Sequence, residues 1–272
     1  MSGTLYVVGT PIGNLADLTD RARETLAAVD LIAAEDTRRT GSLLKKLGVE
    51  ARMLSLHDAN ERSRTARLLE ILRSGRDVGL VSDAGMPGLS DPGFRVVRAC
   101  VEEGVDVRVV PGPSAAVAAL VVSGLPTDRF VFEGFLPRRA GDTRARLGAL
   151  AAEERTIVVF EAPGRVPSTL KEALDALGDR RVAVARELTK LHEEVIRGRI
   201  SEVLPLVTAL RGEVVIVIEG AAEPEPPSAA TLAAEAAALV SNGMRRREAA
   251  AEVARRHGAS ANEVYRAMVE SD

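Results

Sequence analysis

Val78-Gly79-Leu80-Val81 followed by Ser82-Asp83-Ala84-Gly85-Met86-Pro87-Gly88-Leu89-Ser90-Asp91-Pro92-Gly93 decides the fold class of this chain. The first four residues read as a buried strand. The next twelve, with three glycines and two prolines, lead into the helical pattern Phe94–Ala99. A simple strand-to-helix turn uses roughly two to six residues, and so much glycine and proline points to a ligand-binding loop. Strand, loop and helix then alternate on either side. Leu5–Val8, Leu31–Ala34, Met53–Leu56, Val78–Val81 and Val107–Val110 read as strands. Helices are expected from Thr19 or Asp20 to Ala28, through Leu47 to a stop at Gly48, over Ala59–Arg73, to Glu103, and over Ala115–Val122 with Ser114 as cap. Such alternation predicts a parallel sheet covered by helices on both faces.

The second half changes character. Phe130–Phe135 and Thr156–Phe160 are strand candidates, Val182–Ala185 and Glu194–Ile200 flank a charged turn, and Val214–Ile218 is a last strand. Hairpin and helix signals together predict a mixed sheet. The proline-rich stretch 222–228 reads as a linker, and three helical patterns beyond it resemble a helix-turn-helix unit. The expected domains are therefore an N-terminal α/β domain over 1–122, a second α/β domain over 123–221, the linker 222–228 and a helical tail over 229–272.

Composition narrows the function. The chain has 272 residues, 46% of them hydrophobic, and a formal net charge of −3, which excludes a globally basic nucleic-acid coat while leaving room for a local basic patch. Tryptophan is absent and aromatics make up 3%, which argues against an aromatic base-stacking platform. The single cysteine, Cys100, lies in an apolar helical run and reads as a buried structural thiol. One cysteine permits no internal disulfide, in keeping with a reducing cytoplasm. The sequence shows no signal-peptide pattern and no apolar run near the roughly 20 residues of a membrane span. No histidine, carboxylate and cysteine cluster has metal-ligand spacing, and His57, His192 and His257 read as ordinary surface or core residues.

Four loops follow strands: 9–15, 82–93, 111–114 and 161–164. In an open α/β sheet such loops line one crevice. A phosphate cradle needs successive free backbone N–H groups, yet Pro11, Pro87, Pro92, Pro111, Pro113 and Pro163 each remove one. Neither a GxxxxGK[ST] nor a GxGxxG motif occurs. A ligand with adenine, ribose and an amino-acid end fits these loops better than a nucleoside triphosphate or NAD, although each loop alone reads equally well as a stiff turn.

The motifs GTPIGNLADLT (9–19), AEDTRRT (34–40), VSDAGMPGLSDPG (81–93), VPGPSA (110–115), EGFLPR (133–138), FEAPGRV (160–166) and RELTKLHEE (186–194) occur in this order. Together they resemble the small-subunit ribosomal RNA methyltransferase I family of the tetrapyrrole methylase superfamily. The resemblance implies two α/β domains clamping S-adenosylmethionine in a cleft, a homodimer, and methyl transfer to the ribose 2′-hydroxyl of a cytidine in the decoding region of 16S ribosomal RNA. It also implies that Pro11, Ile12, Asp83, Ala84, Gly85, Met86, Ser114, Ala115, Glu161 and Ala162 hold the cofactor.

For chemistry, a protonated ribose hydroxyl benefits from a general base. The acidic residues at loop edges are Glu35, Asp36, Glu161, Glu187 and Glu193, with Lys190 as an electrostatic helper. Glu35 and Asp36 are the catalytic candidates; a surface pair with Arg38 or a helix cap explains them equally well. Arg38, Arg39, Arg138, Arg139, Arg245, Arg246 and Arg247 are the candidate RNA contacts, against a solvated helix face for the last three. Competing readings are a precorrin C-methyltransferase, which has little use for the 35–40 edge, and a non-catalytic ribosome-binding factor.

Overall fold

The computed structural model describes residues 2–222 and 227–270, so the expected linker 222–228 lies for the most part outside the described residues. The chain divides into two compact units, Met1–Ala221 and Ala222–Asp272.

The first sheet of the larger unit contains β1 (Leu5–Val8), β2 (Leu31–Ala34), β3 (Met53–Ser55), β4 (Val78–Val81) and β5 (Val107–Val110) in the order β3-β2-β4-β1-β5. All its pairings are parallel. Alternation along each strand feeds two cores. Leu5, Ala33, Val78 and Leu80 pack with Leu68, Leu69 and Leu72 of α3 (Glu61–Arg73) and with Val96 and Cys100 of α4 (Phe94–Glu102). Val8, Ile32, Ala34 and Val81 meet Ala22 and Leu26 of α1 (Asp20–Ala28) and Leu44 of α2 (Thr37–Leu47) on the other face. Thr19 caps α1 by accepting from the N–H of Ala22. Gly48, at φ +68, ends α2 in the left-handed conformation that favours glycine. Cys100 is buried, and burial pushes its thiol up to about 11.

The second sheet contains β6 (Phe130–Phe135), β7 (Thr156–Glu161), β8 (Arg181–Arg186), β9 (Glu194–Arg199) and β10 (Val214–Ile218) in the order β6-β7-β10-β8-β9. It is mixed: β6 and β7 are parallel, and the other pairs antiparallel. One face packs on α6 (Ala140–Ala149), α7 (Val166–Leu177) and α8 (Ile200–Val203). The other face is covered by Ala116, Ala119 and Leu120 of α5 (Ala115–Ser123). Helix α5 follows the last strand of the first sheet but buries its apolar side against the second, so both sheets belong to one compact unit. Two local readings need correction. Ser114 makes no side-chain cap to α5, and α3 begins at Glu61 because Asn60 instead closes a turn onto the N–H of His57.

The smaller unit contains α9 (Ala229–Ser241), α10 (Arg246–His257) and α11 (Ala261–Glu270), packed around Leu232, Ala236, Ala250, Val253, Val264 and Met268. Among the described residues, no helix is long and apolar enough to cross a membrane, and no group of three or more His, Cys, Asp or Glu could hold a metal ion.

Candidate active site

The four loops singled out in the sequence leave the C-terminal ends of β1, β4, β5 and β7. Three of them are locked together by backbone. Thr10 and Gly85 exchange N–H···O bonds of 2.9 and 3.1 Å, and the Thr10 hydroxyl donates to the Ser82 carbonyl at 3.2 Å. Gly9 and Gly112 approach so closely that a Cβ on Gly9 would lie 2.6 Å from the Gly112 Cα. Both positions therefore need glycine. Helix α3 fixes the far end of the 82–93 loop: buried Glu61 accepts from the N–H groups of Gly93 (2.8 Å) and Arg95 (3.1 Å), capping α4 from outside.

The loops open onto a cavity of about 270 Å³, near the lower end of the range for small-ligand sites. Eight of the ten expected cofactor residues line it: Ile12, Ala84, Gly85, Met86, Ser114, Ala115, Glu161 and Ala162. Pro11 and Asp83 instead line a shallower depression with Thr10, Gly13 and Arg39. Glu161 is buried and engaged, accepting from the Ala162 N–H (2.8 Å) and the Thr169 hydroxyl (2.7 Å), with Arg165 at 3.4 Å. Its carboxylate sets the loop after β7.

Sequence reading did not find the opposite wall. Ala185, Leu188, Val214 and Val215 supply apolar surface and strand edges, Phe132, Phe135 and Phe160 supply three rings, and Leu89 and Asp91 come from the second half of the 82–93 loop. One usable signal lay in the acidic SDPG tetrad, residues 90–93. Strain gathers at the rim: the non-glycine residues Ser90, Glu187 and Thr189 have φ of 65°, 50° and 66°, flanking the lining residues Asp91 and Leu188.

The electrostatics of the site are acidic. Among the described residues, the cavity lining includes Asp91, Glu161 and Glu213 and no lysine or arginine. Arg165 pairs with Glu161 at 3.4 Å and Lys190 with Glu213 at 2.8 Å, both from outside the lining. The lining thus offers no cation to a phosphate, and Asp91 is its carboxylate without an ion pair among the described residues. Burial, reinforced by the negative charge of Glu35, pushes Asp91 up to about 6, against the Ser82 hydroxyl, which favours its charged form. Burial likewise raises Glu35, partly offset by a hydrogen bond from the Asp83 N–H. Asp36 is held the other way: the Arg38 side chain grips both its oxygens, at 3.1 and 2.7 Å, and drives its carboxyl far below the usual range. Asp36 also caps α2 through the N–H of Arg38, and its own N–H donates to Asp83. The structure thus gives Asp36 and Arg38 to each other as cap and partner, and Arg39 to Asp83 at 3.2 Å. Glu187 pairs with Lys190 at 2.8 Å, and Glu193 accepts from the Thr189 N–H. Arg138 and Arg139 are exposed beyond β6. Arg245, Arg246 and Arg247 are exposed in the smaller unit, Arg247 with its guanidinium 6.0 Å from the Tyr265 ring centre.

A five-stranded parallel sheet, a five-stranded mixed sheet and a proline-stiffened, acid-lined cavity at the strand ends define the architecture of a tetrapyrrole methylase. The model of the family "Tetrapyrrole (Corrin/Porphyrin) Methylases" matches residues 4–204. A solved uroporphyrin-III C-methyltransferase from Thermus thermophilus, complexed with S-adenosylhomocysteine, shares the fold with a TM-score of 0.57 at 23% identity, over 80% of this chain and 97% of that one. Curated relatives are far more similar in sequence. "Ribosomal RNA small subunit methyltransferase I" of Thermotoga maritima is 50% identical over 221 residues, covering 80% of this chain and 99% of the relative. Its counterpart from Escherichia coli O157:H7 is 48% identical over 223 residues, covering 80% and 78%. The chain belongs to the ribosomal RNA small subunit methyltransferase I family.

Proposed function

We propose that this chain methylates the ribose 2′-hydroxyl of a cytidine in the decoding region of 16S ribosomal RNA. Its family membership makes it an S-adenosylmethionine-dependent ribosomal RNA methyltransferase. The observation that carries the donor half of this reading is the cavity, whose Asp91 carboxylate and lack of lysine or arginine among the described residues complement a sulfonium bearing an ammonium group. S-adenosylmethionine, when bound, supplies an electrophilic methyl for in-line displacement. Ile12, Ala84, Gly85, Met86, Ser114, Ala115 and Ala162 wall the ligand, with Glu161 fixing the last of these loops and Pro11 and Asp83 bordering it. Positioning donor and acceptor within one cavity mouth supplies a large share of the rate.

The remaining task is the acceptor proton. Asp91 lines the cavity, and burial pushes its carboxyl up to about 6, toward the operating pH at which a general base is most effective. We assign it that role, with Glu35 acting through its charge on Asp91. Asp36 remains a positioning residue, since a carboxylate held so low is a poor base. Arg38, Arg39, Arg138, Arg139, Arg245, Arg246 and Arg247 are proposed to contact RNA phosphates. A homodimer is proposed as well, supported by the side of α5 turned away from the second sheet, where Val117, Val121 and Val122 are exposed. The enzyme would then work where ribosomes are, in the cytoplasm.

The test is transfer of labelled methyl from S-adenosylmethionine to small ribosomal subunits lacking the modification, followed by nuclease digestion and mass spectrometry. A 2′-O-methylcytidine product supports the reading; a base-methylated nucleoside, or transfer only to a precorrin, refutes it.

A further inference from the structure

The bulge in β6 re-aims one aromatic ring. The strand pairs in register with β7 as far as Phe132 opposite Val158. Glu133 is then skipped, Gly134 lies opposite Val159 and Phe135 opposite Phe160. In an uninterrupted strand, residues three apart point to opposite faces. The extra residue instead puts Phe132 and Phe135 on the same side, where both rings meet Phe160 edge to face, with centroids 4.9 and 5.6 Å apart. Glu133 is turned into an ion pair with Arg146 at 2.6 Å. The device needs its glycine: Gly134 has φ +64, and a Cβ there would stand 2.8 Å from the Ser90 hydroxyl of the neighbouring loop.

The ring so placed is only partly used for packing. Phe135 lines the cavity mouth with 60% of its surface exposed, whereas Leu136 beside it is buried in the core. An edge-to-face contact leaves one ring face open. Two residues further on, charge changes too. Arg144 and Arg146 are engaged by Glu172 and Glu133. The side chains of Arg138 and Arg139 are exposed and make no hydrogen bond or ion pair among the described residues.

An open aromatic face at a methyl-donor cavity, followed three and four residues on by two exposed, unpaired arginines, matches an unstacked nucleotide of single-stranded RNA. A ribose hydroxyl inside stacked, structured RNA cannot reach such a cavity until its nucleotide is splayed out. We propose that Phe135 is the stacking platform for the acceptor base, with Arg138 and Arg139 on the adjoining phosphates. This rests on the reading of the chain as a ribosomal RNA methyltransferase. It runs against the expectation from composition, on the ground that three of the five phenylalanines lie at one cavity.

The test compares Phe135→Ala, Phe135→Leu and Phe135→Trp in methyl transfer to small subunits, with S-adenosylmethionine affinity measured by calorimetry and folding by thermal melt. Stacking predicts that Phe135→Ala and Phe135→Leu raise KM for the subunit roughly ten- to hundred-fold. Because Phe135 also lines the cavity, donor affinity should fall too, but far less than affinity for the subunit, and Phe135→Trp should keep near-normal transfer. Normal transfer by Phe135→Leu would overturn the proposal, because an apolar contact alone would then suffice. So would an equal loss of donor affinity in Phe135→Ala, which would give the ring to the donor, or an effect confined to oligomeric state. If the unaltered chain transfers no methyl to the subunit, the RNA reading fails first, before any variant is compared.

Discussion

Glu35 accepts a hydrogen bond from the backbone N–H of Asp83 at 3.3 Å, tying the loop after β2 directly to the loop after β4. That bond carries charge as well as geometry, because Glu35 is the largest neighbouring charge acting on Asp91. Removing it should therefore be visible in the titration of the cavity. Methyl transfer by the unaltered enzyme should fall as the pH drops through about 6, as Asp91 takes up its proton. In Glu35→Gln one negative charge is gone, Asp91 ionises more readily, and the acidic limb moves to lower pH. Initial rates between pH 5 and 8, at saturating donor, measure this; an unmoved limb would separate the two carboxylates.

Asp91 itself should show a trade between activity and stability. Its folded pKa of about 6 lies above the ordinary 3.8. A raised pKa means that protonated Asp91 stabilises the fold fully below pH 3.8, and that this contribution is lost as the pH rises through about 6. Asp91→Asn has no such loss. At pH 7.5 it should be more stable than the parent by about 1 kcal/mol, discounted for partial exposure, equal to a rise in Tm of roughly 2–4 °C. The gain should shrink toward pH 4. Transfer should fall by about 100-fold or more. A variant that is neither more stable nor slower would return Asp91 to the wall of the cavity.

Glu61 gives a prediction about the frame. Two backbone N–H groups at the start of α4 have this buried carboxylate as their acceptor. Glu61→Ala leaves both without it and should cost about 2–3 kcal/mol. Glu61→Gln keeps an acceptor oxygen and should cost less. Because Gly93 closes the 82–93 loop, S-adenosylmethionine affinity should fall in the same order, alanine below glutamine. Thermal melts and calorimetric titration of the two variants test both statements.

Much of this frame is legible in the sequence because it is local. The five strands of the first sheet come from short apolar runs bounded by glycine and charge, and Thr19 and Gly48 mark helix ends through their own chemistry. The four loops are visible as glycine and proline after strands. Less legible is whatever depends on partners distant in sequence. Helix α5 looks like part of the first half, yet its alanines fit β7, β8 and β10 of the second. Glu61 reads as an ordinary helix-start acid until α4 is placed above it. Asp36 and Asp91 are both aspartates in polar loops, but one is gripped by an adjacent arginine and the other enclosed beside Glu35. The first environment is announced in the sequence by Arg38 two residues on, whereas nothing near Asp91 in the sequence announces the second. The bulge at Glu133 is hidden for a related reason: a strand pattern assigns faces by counting, and one skipped residue reverses the count.

The Gly9–Gly112 contact yields the last prediction. A Cβ on Gly9 would lie 2.6 Å from both N and Cα of Gly112, and one on Gly112 would lie 2.8 Å from the Gly9 Cα. Neither clash can be relieved by a side-chain rotation, since backbone faces backbone. Gly9→Ala and Gly112→Ala should each separate the loops after β1 and β5, at a cost of about 2–3 kcal/mol. Moving the first loop also pulls Thr10 away from Gly85 and Ile12 out of the cavity wall, so donor affinity should fall at least ten-fold in either variant. The two substitutions enforce the same displacement. Once one alanine has parted the loops, the second meets less resistance, and the double variant should lose less stability than the sum of the singles. Full additivity in chemical denaturation would mean that each alanine is accommodated separately. The close approach of the two glycines would then not be what sets the spacing of the loops.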